Sequence, residues 1–338
     1  MLRTLYLHIG AHRTATSSTQ RFLHNNAPAL LKQGYLYPFG VRRHMDLMNE
    51  VFAGKRSAAQ VAGALNDAAR GQDVHTAILS DEDVAMRRDL SPLAALRRHF
   101  DVRVVYAMRR QDTWLESWYL QNIKWQWNDS LAHVTFPEFL ARSEEFHWIH
   151  YDRFLAHVAG LFGAENIVPL VFEKGQMPDG PVLAFCRAVG LRDMSEARKV
   201  PHVNSSRSPQ MAEFMRLLPL DRAATDVRNA LASACETVDR RSLGHKGKQS
   251  ELLMEPGLRR AVMARYADGN AAVARHYLDR DALFLDPLPP EDAPLASLTL
   301  PADPEVLMAR FVAPLFEALI EKGAVVNPRK AGAAKDRG

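Results

Sequence analysis

The sequence is poor in cysteine, in net charge and in long apolar runs, and each shortage excludes a class of protein. Two cysteines among 338 residues, Cys186 and Cys235, cannot build a disulfide framework, and a metal site would need more ligands. A net charge of +4 is too small to argue for nucleic acid as a partner. No apolar run approaches the ~18 residues of a membrane span. We therefore expect reduced thiols, no metal, no nucleic acid and no membrane-spanning segment.

The N-terminal residues also lack the features of an export signal. Met1–Thr4 leads at once into a strand-like run, without a charged start, a long apolar stretch or a cleavage site. Together with the scarcity of cysteine, this favours a cytoplasmic location. Hydrophobic residues make up 47% of the chain, which is enough for the core of one large domain or two smaller ones.

Short apolar runs alternate with helical patterns through the first half of the chain. The strand-like runs are Leu5–Ile9, Gly34–Tyr37, Thr76–Leu79, Val102–Met108 and Ile167–Phe172. Helical spacing is found from Thr16 onward and over residues 58–69, 92–99, 113–127 and 154–162. Strands separated by helices predict an α/β fold, with a central parallel sheet and helices on both faces.

The second half of the chain is mostly helical in pattern. It begins at about Pro181, and the proline-rich segment Asp286–Pro290 marks a boundary. We predict one large domain over residues 1–290 and a C-terminal helical extension over 291–326, with a helix over Pro304–Lys322. Residues 327–338 are polar and predict a disordered tail.

The loop after the first strand has the composition of an anion site. It runs from Gly10 to Ser18, and a loop of small residues between a strand and a helix N-terminus points its amides at a negative ligand. A nucleoside-triphosphate P-loop would need Gly-x4-Gly-Lys-Ser/Thr, and that lysine is missing. A cation stands earlier, at Arg13. The alternative is an ordinary strand-to-helix turn with an incidental arginine.

The segment from His8 to Gln20 resembles the 5′-phosphosulfate loop of the sulfotransferases that use 3′-phosphoadenosine 5′-phosphosulfate (PAPS). It reads His-Ile-Gly-Ala-His-Arg-Thr-Ala-Thr-Ser-Ser-Thr-Gln, whereas the family has a strand, then Lys-(Ser/Thr)-Gly-Thr-(Thr/Ser), then a helix. Arg13 stands where the family usually has Lys, and Ala15 where it usually has Gly. The resemblance implies that the donor is bound by His12, Arg13, Thr14, Ala15, Thr16 and Ser17.

The two departures from the family pattern have predictable physical effects. Arg13 keeps the positive charge but presents a planar fork in place of a point donor. Ala15 gives up the freedom that glycine has at positive φ. We therefore expect an ordinary backbone conformation at Ala15, and a stronger effect of both changes on turnover than on binding.

A second motif follows the strand Val102–Met108. Arg109 stands at the carboxyl end of this strand, where ligands of α/β proteins bind, and Ser117 comes eight residues later in the predicted helix. The 3′-phosphate motif of the family also has an Arg at a strand end and a Ser eight residues later, followed by an aromatic residue, here Tyr119. Arg110 is the alternative if the register differs by one. The other interpretation is an arginine pair on a solvated loop and a serine on an exposed helix face.

Sulfuryl transfer also needs a stabiliser of the leaving phosphate and a base for the acceptor proton. Arg13 is the natural stabiliser. For the base there are two candidates, because family members place a catalytic Glu or His either at a strand end, as Glu82, or just after the first helix, near His44. The alternatives are a helix-capping acid for Glu82 and a surface-loop histidine for His44.

The resemblance covers residues 4 to 285 and implies a P-loop-like three-layer fold, with a sulfotransferase-like nucleotide-binding domain over residues 1–290. It also implies PAPS as the donor co-substrate, no metal, and a small-molecule or glycan acceptor that receives the sulfuryl group on a hydroxyl or amine. Two other functions stay open. One is a P-loop kinase or NTPase, because Ala77–Glu82 resembles an apolar strand ending in metal-binding acids. The other is a non-catalytic nucleotide-binding module.

Overall fold

Five apolar runs of the sequence form the strands of one parallel sheet. They are β1 (Thr4–His8), β2 (Tyr35–Leu36), β3 (Thr76–Ser80), β4 (Asp101–Met108) and β5 (Ile167–Val171). The strands lie in the order β2-β3-β1-β4-β5, and each neighbouring pair runs parallel. Because β1 lies in the middle of the sheet and is covered on both faces, its uninterrupted apolar run is what this position requires.

The structure is a computed structural model that describes residues 2–193, 197–198, 207–244 and 252–323. The chain divides into two compact units. The first comprises Met1–Trp114, Glu144–His202 and Arg260–Leu288, and the second comprises Leu115–Ser143, Val203–Arg259 and Pro289–Gly338. The domain boundaries predicted at residues 290 and 326 stay predictions, and the tail predicted over 327–338 lies outside the described residues.

Helices fill the connections between the strands and continue beyond β5. In the first half of the chain these are α1 (Thr16–Asn25), α2 (Ala27–Leu31), α3 (Met45–Phe52), α4 (Ala58–Ala68), α5 (Ser91–Ala94) and α6 (Gln111–Trp125). They are followed by α7 (Asp129–Ala132), α8 (Phe136–Ala141), α9 (Tyr151–Phe162), α10 (Pro181–Ala188), α11 (Pro209–Arg216), α12 (Thr225–Arg241) and α13 (Pro256–Leu278). The first turn of α6 and most of α13 belong to the first unit, whereas α7, α8, α11 and α12 belong to the second.

Helices cover both faces of the sheet. One buried cluster joins one face to α1 and α10, and it includes Tyr6, Val105, Phe22 and Phe185. Successive residues of a strand point to opposite faces, so Tyr106 points away from this cluster. Its ring packs 4.7 Å from the ring of Phe154 on α9, between centroids. The predicted three-layer α/β fold is therefore confirmed.

A buried ion pair stabilises the second unit. Oε1 of Glu116, on α6, lies 2.7 Å from Nη2 of Arg259, on α13. The same oxygen accepts the backbone N–H groups of Leu253 and Met254 at 2.7 and 2.8 Å. Burial raises the pKa of Glu116, although Arg259 and the two amides oppose this. A cation and two backbone donors thus compensate the charge at this oxygen, as a buried charge requires.

The helix expected over Pro304–Lys322 is present but is not regular. It consists of α14 (Pro304–Leu307), a π turn over Met308–Val312 and α15 (Ala313–Glu321). Pro314 explains the wide turn, because it has no N–H to donate to the carbonyl of Arg310.

Other expectations concern cysteine and the membrane. Cys186 and Cys235 are free and buried, and burial raises the pKa of each thiol to about 12. Such thiols are unreactive, which agrees with their predicted role as small core residues. Among the residues that the structure describes, no helix is both long and apolar enough to cross a bilayer.

Candidate anion-binding site

The loop between β1 and α1 continues the pairing of the central strand. The N–H of Ile9 donates to the carbonyl of Val105 at 3.1 Å, and the N–H of Ala11 donates to that of Ala107 at 3.2 Å. Beyond Ala11 the chain turns, and α1 begins at Thr16. The loop therefore lies at the carboxyl end of the middle strand and at a helix N-terminus, where an anion is favoured by position and by the helix dipole.

Two residues of the loop have a left-handed backbone conformation. Arg13 has a φ of 68° and Ala15 has a φ of 61°. The expectation of an ordinary backbone conformation at Ala15 is therefore wrong. The reason is geometric, because the chain must reverse direction within a few residues to pass from β1 into α1. A backbone that alternates between right- and left-handed conformations also directs successive N–H groups into one concave site, which favours an anion.

Side chains from outside the loop hold its carbonyl groups. Nε1 of Trp114 donates to the carbonyl of His12 at 2.9 Å, and Nη1 of Arg109 donates to the carbonyl of Arg13 at 3.0 Å. Within the loop, the hydroxyl of Thr14 donates to the carbonyl of Ala11 at 2.7 Å. Three carbonyl groups of the loop are therefore satisfied within the protein, while amide groups at a helix N-terminus are the groups that commonly bind an anion.

Arg109 is itself fixed at the end of β4. Its backbone N–H donates to the hydroxyl of Tyr151 at 3.0 Å, and its Nε donates to the hydroxyl of Thr113 at 3.1 Å. The guanidinium also lies over the ring of Phe172, 5.7 Å from the centroid. The arginine of the second motif, Arg109, therefore contacts the loop that forms the first motif.

Arg110, the alternative in the second motif, is used elsewhere. Its Nε lies 2.8 Å from a carboxylate oxygen of Asp112, and its Nη1 donates to the carbonyl groups of Asp286 and Pro287. Arg109 rather than Arg110 therefore contacts the loop, and the assignment of Arg109 to a 3′-phosphate stays a prediction. Ser117 is buried on α6 and belongs to the second unit, so its assignment stays a prediction.

Three consecutive carboxylates follow β3, and one arginine binds all of them. Nη2 of Arg43 lies 2.6 Å from Asp81 and 2.5 Å from Asp83, and its Nε lies 3.4 Å from Oε2 of Glu82. We call these four residues the acidic cluster. Burial opposes the charge of Arg43, but the three carboxylates outweigh it and raise its pKa. The guanidinium therefore stays charged at the centre of the cluster.

The carboxylates of the acidic cluster respond differently to this arrangement. Burial dominates at Asp81 and raises its pKa, although Arg43 opposes it. At Asp83 burial is also the largest effect, but the hydrogen bond from His12 and the charge of Arg43 together outweigh it and lower the pKa. Nε2 of His12 lies 2.8 Å from Oδ1 of Asp83, so the acidic cluster is tied to the loop.

Glu82 lies directly against the loop. It is buried, and its Oε2 accepts a short hydrogen bond from Nε2 of Gln20 on α1. A Cβ atom placed at Gly10 would come within 3.2 Å of the carbonyl oxygen of Glu82. Gly10 also has a φ of 115°, a region in which side chains are strained. The close approach of Glu82 is thus one reason for glycine at this position.

His44, the second candidate for a base, is fixed by backbone groups. Its Nδ1 accepts the N–H of Ser80 at 3.1 Å, and its Nε2 donates to the carbonyl of Pro38 at 3.2 Å. Burial lowers its pKa to about 4. Both ring nitrogens are therefore occupied in the neutral side chain, so His44 would have to give up one of these contacts to accept a proton from another molecule.

Sequence reasoning missed several residues of this site. Arg43 precedes the candidate His44, but no sequence pattern marks it as a partner of acidic residues. Likewise, nothing in the sequence around Gln20 predicts its hydrogen bond to Glu82, which is 62 residues away. The other predicted loop residues divide by exposure, since Thr16 is buried and Ser17 is exposed. Among the described residues, no group of three or more His, Cys, Asp or Glu side chains is arranged to hold a metal ion.

Comparisons with known proteins assign no family to the chain. No family model matches it. An uncharacterised protein of Archaeoglobus fulgidus is 26% identical over 159 residues, which are 43% of this chain and 41% of the length of that relative. Among solved structures, a sulfotransferase from Alicyclobacillus acidocaldarius is similar with a TM-score of 0.45 and 14% identity, over 83% of this chain and 98% of that one.

Proposed function

We propose that this chain is a sulfotransferase that moves a sulfuryl group from PAPS to a hydroxyl or amine of a small-molecule or glycan acceptor. The observation that carries the proposal is the contact between the two motifs, in which Arg109 binds the backbone of the loop at Arg13. A donor with phosphate groups at both the 3′ and the 5′ position of its ribose needs two anion sites at one sheet edge. The two motifs supply candidates for both.

The loop is the proposed site of the 5′-phosphosulfate. Its amide groups and the N-terminus of α1 favour the negative charge, with His12, Thr14, Thr16 and Ser17 as the sequence-based contacts. Arg13 supplies a charged donor where charge builds up on the departing phosphate. The 3′-phosphate is assigned to Arg109, and to Ser117 on the sequence motif.

The proposed transfer is an in-line displacement at sulfur. The acceptor oxygen or nitrogen forms a bond to the sulfur, while the bond from sulfur to the 5′-phosphate oxygen breaks and adenosine 3′,5′-bisphosphate leaves with the electron pair. The acceptor proton passes to Glu82. Its carboxylate accepts a hydrogen bond from Gln20 and makes an ion pair with Arg43, both at Oε2, so we assign the proton to Oε1.

A label-transfer assay tests this proposal. Radiolabelled PAPS is incubated with the full chain and panels of carbohydrates, lipids and peptides, and the sulfated products are separated. We expect transfer that Arg13→Ala and Arg109→Ala both reduce by at least about 100-fold, the effect of removing a group that stabilises the transition state. Glu82→Gln keeps the shape of the side chain and should lower kcat more than it raises KM.

Arg98→Ala is the matched control, because Arg98 is an exposed arginine of the first unit, outside the site. It should retain the activity of the unaltered chain. Full activity in Arg13→Ala or in Arg109→Ala removes that residue from the proposed site. Tight binding of adenosine 3′,5′-bisphosphate without transfer to any acceptor favours the non-catalytic nucleotide-binding module instead.

The acidic cluster argues against the kinase or NTPase. In that class the acids after the strand bind Mg²⁺ and a lysine binds the phosphates. Here the guanidinium of Arg43 already binds Asp81, Glu82 and Asp83 and compensates their charge.

A thermal-shift measurement distinguishes the sulfotransferase from the kinase or NTPase. We expect adenosine 3′,5′-bisphosphate to raise Tm and ATP with Mg²⁺ to leave it unchanged, and the reverse result favours the kinase.

A further inference from the structure

The last helical segment of the described chain carries apolar side chains on two opposite faces. One face is buried where α15 packs against α12, and it consists of Phe311, Leu315, Ala318 and Leu319. The other face is exposed, and it consists of Met308, Ala309, Ala313, Phe316 and Ile320. We call these five exposed residues the outer stripe.

The outer stripe exposes large side chains in a row. The exposed fractions of Met308, Phe316 and Ile320 are 53%, 55% and 60%. Isolated apolar residues at a surface are normal, but these share one helix face over a rise of about 18 Å. Contiguous apolar surface of this kind marks a site of association.

The π turn helps to form the outer stripe. A residue of a π turn advances the helix by less than the ~100° of a regular α-helix, so the segment after the turn lags by roughly one position. Met308 and Phe316, which are eight residues apart, thereby come to the same side. Pro314 maintains the turn, since a proline cannot donate to the carbonyl four residues earlier.

Charges beside the outer stripe indicate what it fits. Arg310 and Glu317 are both exposed and lie on the same flank. When two copies of the helix are antiparallel about a two-fold axis between Ala313 and Pro314, Arg310 of each copy faces Glu317 of the other. In a parallel pair this flank would lie beside the opposite flank of the other copy, so Arg310 and Glu317 would not face each other. The charge pattern therefore selects a second copy of this chain in the antiparallel orientation.

The side-chain sizes agree with the same arrangement. Ala309 and Ala313 are small and lie near the axis, so the helices can approach closely there. Phe316 of one copy is then level with the stretch between these two alanines in the other copy, and its large side chain fills the space above the small ones. The contact is self-complementary, so it closes after two copies.

We propose that two copies of this chain associate through the outer stripe as an antiparallel helix pair. The pair is held by burial of Met308, Phe316 and Ile320 and is oriented by the two Arg310–Glu317 contacts across the axis. This inference does not depend on the proposed function.

Charge reversal tests the orientation of the pair, with sedimentation velocity over a range of concentrations as the measurement. We expect a concentration-dependent dimer of the unaltered chain. Arg310→Glu and Glu317→Arg should each raise the dissociation constant by about tenfold or more, because each brings like charges together. An equimolar mixture of the two single variants should restore association, since their flanks are opposite in charge.

Two matched substitutions test the location of the contact. Ile320→Asp should leave a folded monomer, whereas Val227→Asp, at a residue of α12 that is 48% exposed, should leave the dimer intact. Far-UV circular dichroism and Tm establish that both variants are folded. The proposal is overturned if the unaltered chain is monomeric at every concentration, or if charge reversal leaves association unchanged. It is also overturned if only a chain ending at Gly323 dimerises, since residues 324–338 would then cover the stripe.

Discussion

Ala15 has a backbone conformation that glycine adopts at lower cost. The left-handed region costs an alanine about 1–2 kcal/mol, whereas glycine loses roughly 0.5–1 kcal/mol more chain entropy on folding. We therefore expect Ala15→Gly to leave the free energy of unfolding unchanged or to raise it by up to about 1.5 kcal/mol. Urea denaturation measures the difference.

Ala64 provides the matched control for this prediction, because it lies within the regular helix α4. Ala64→Gly should lower the free energy of unfolding by about 0.5–1 kcal/mol, the ordinary helix cost of glycine. An equal loss at both positions would contradict a left-handed backbone at Ala15.

His8 and His44 make stability dependent on pH. Burial lowers the pKa of each from 6.5 to about 4. The folded protein therefore keeps both neutral, while the unfolded chain takes up protons as the pH falls through 6.5. Stability is full above this value and decreases as the pH falls toward 4, by up to about 3 kcal/mol for each histidine.

Urea unfolding at several pH values between 7 and 4 measures this loss. His8→Asn removes one titrating ring and should reduce the decrease in stability over that range. His157→Asn is the control, because His157 is exposed, and it should leave the decrease unchanged. The assignment to His8 is wrong if both variants lose stability as steeply as the unaltered chain.

At the level of single elements, local sequence patterns predict much of what the structure contains. Strands β1, β3 and β4 lie within one residue of their predicted bounds, and helix α1 begins at its predicted start, because apolar runs and helical spacing are short-range signals. Helix α3 was not predicted. The π turn was not predicted either, since its cause, Pro314, acts on a carbonyl one turn away.

The ion pair between Glu116 and Arg259 shows how one contact stabilises the elements that it joins. Glu116→Ala leaves the guanidinium buried without a counter-charge, so we expect a loss of about 3–5 kcal/mol in the free energy of unfolding. Arg241, which pairs with Glu321 at the surface, is the control. Arg241→Ala should cost less than about 1 kcal/mol, and equal losses would mean that the buried pair is not desolvated.

At the scale of the whole molecule, the sequence predicted which segments meet but not how they are held. Arg109 and Glu82 both lie against the loop after β1 because the carboxyl ends of parallel strands share one edge of the sheet. The strand order and the binding of the acids by Arg43 depend on contacts between distant parts of the chain. Such contacts leave no periodic trace in the sequence, so neither could be predicted from local patterns.

The loop Gly10–Ala15 is translated early, but its folded conformation depends on residues that are translated much later. The residues that hold its carbonyl groups, Arg109 and Trp114, lie 96 and 102 positions further along the chain. Contacts between such distant segments are slow to form. A nascent chain that ends before β4 therefore has the sequence of the loop but no partner to shape it. A bound nucleotide would accordingly stabilise the finished first unit rather than guide its assembly.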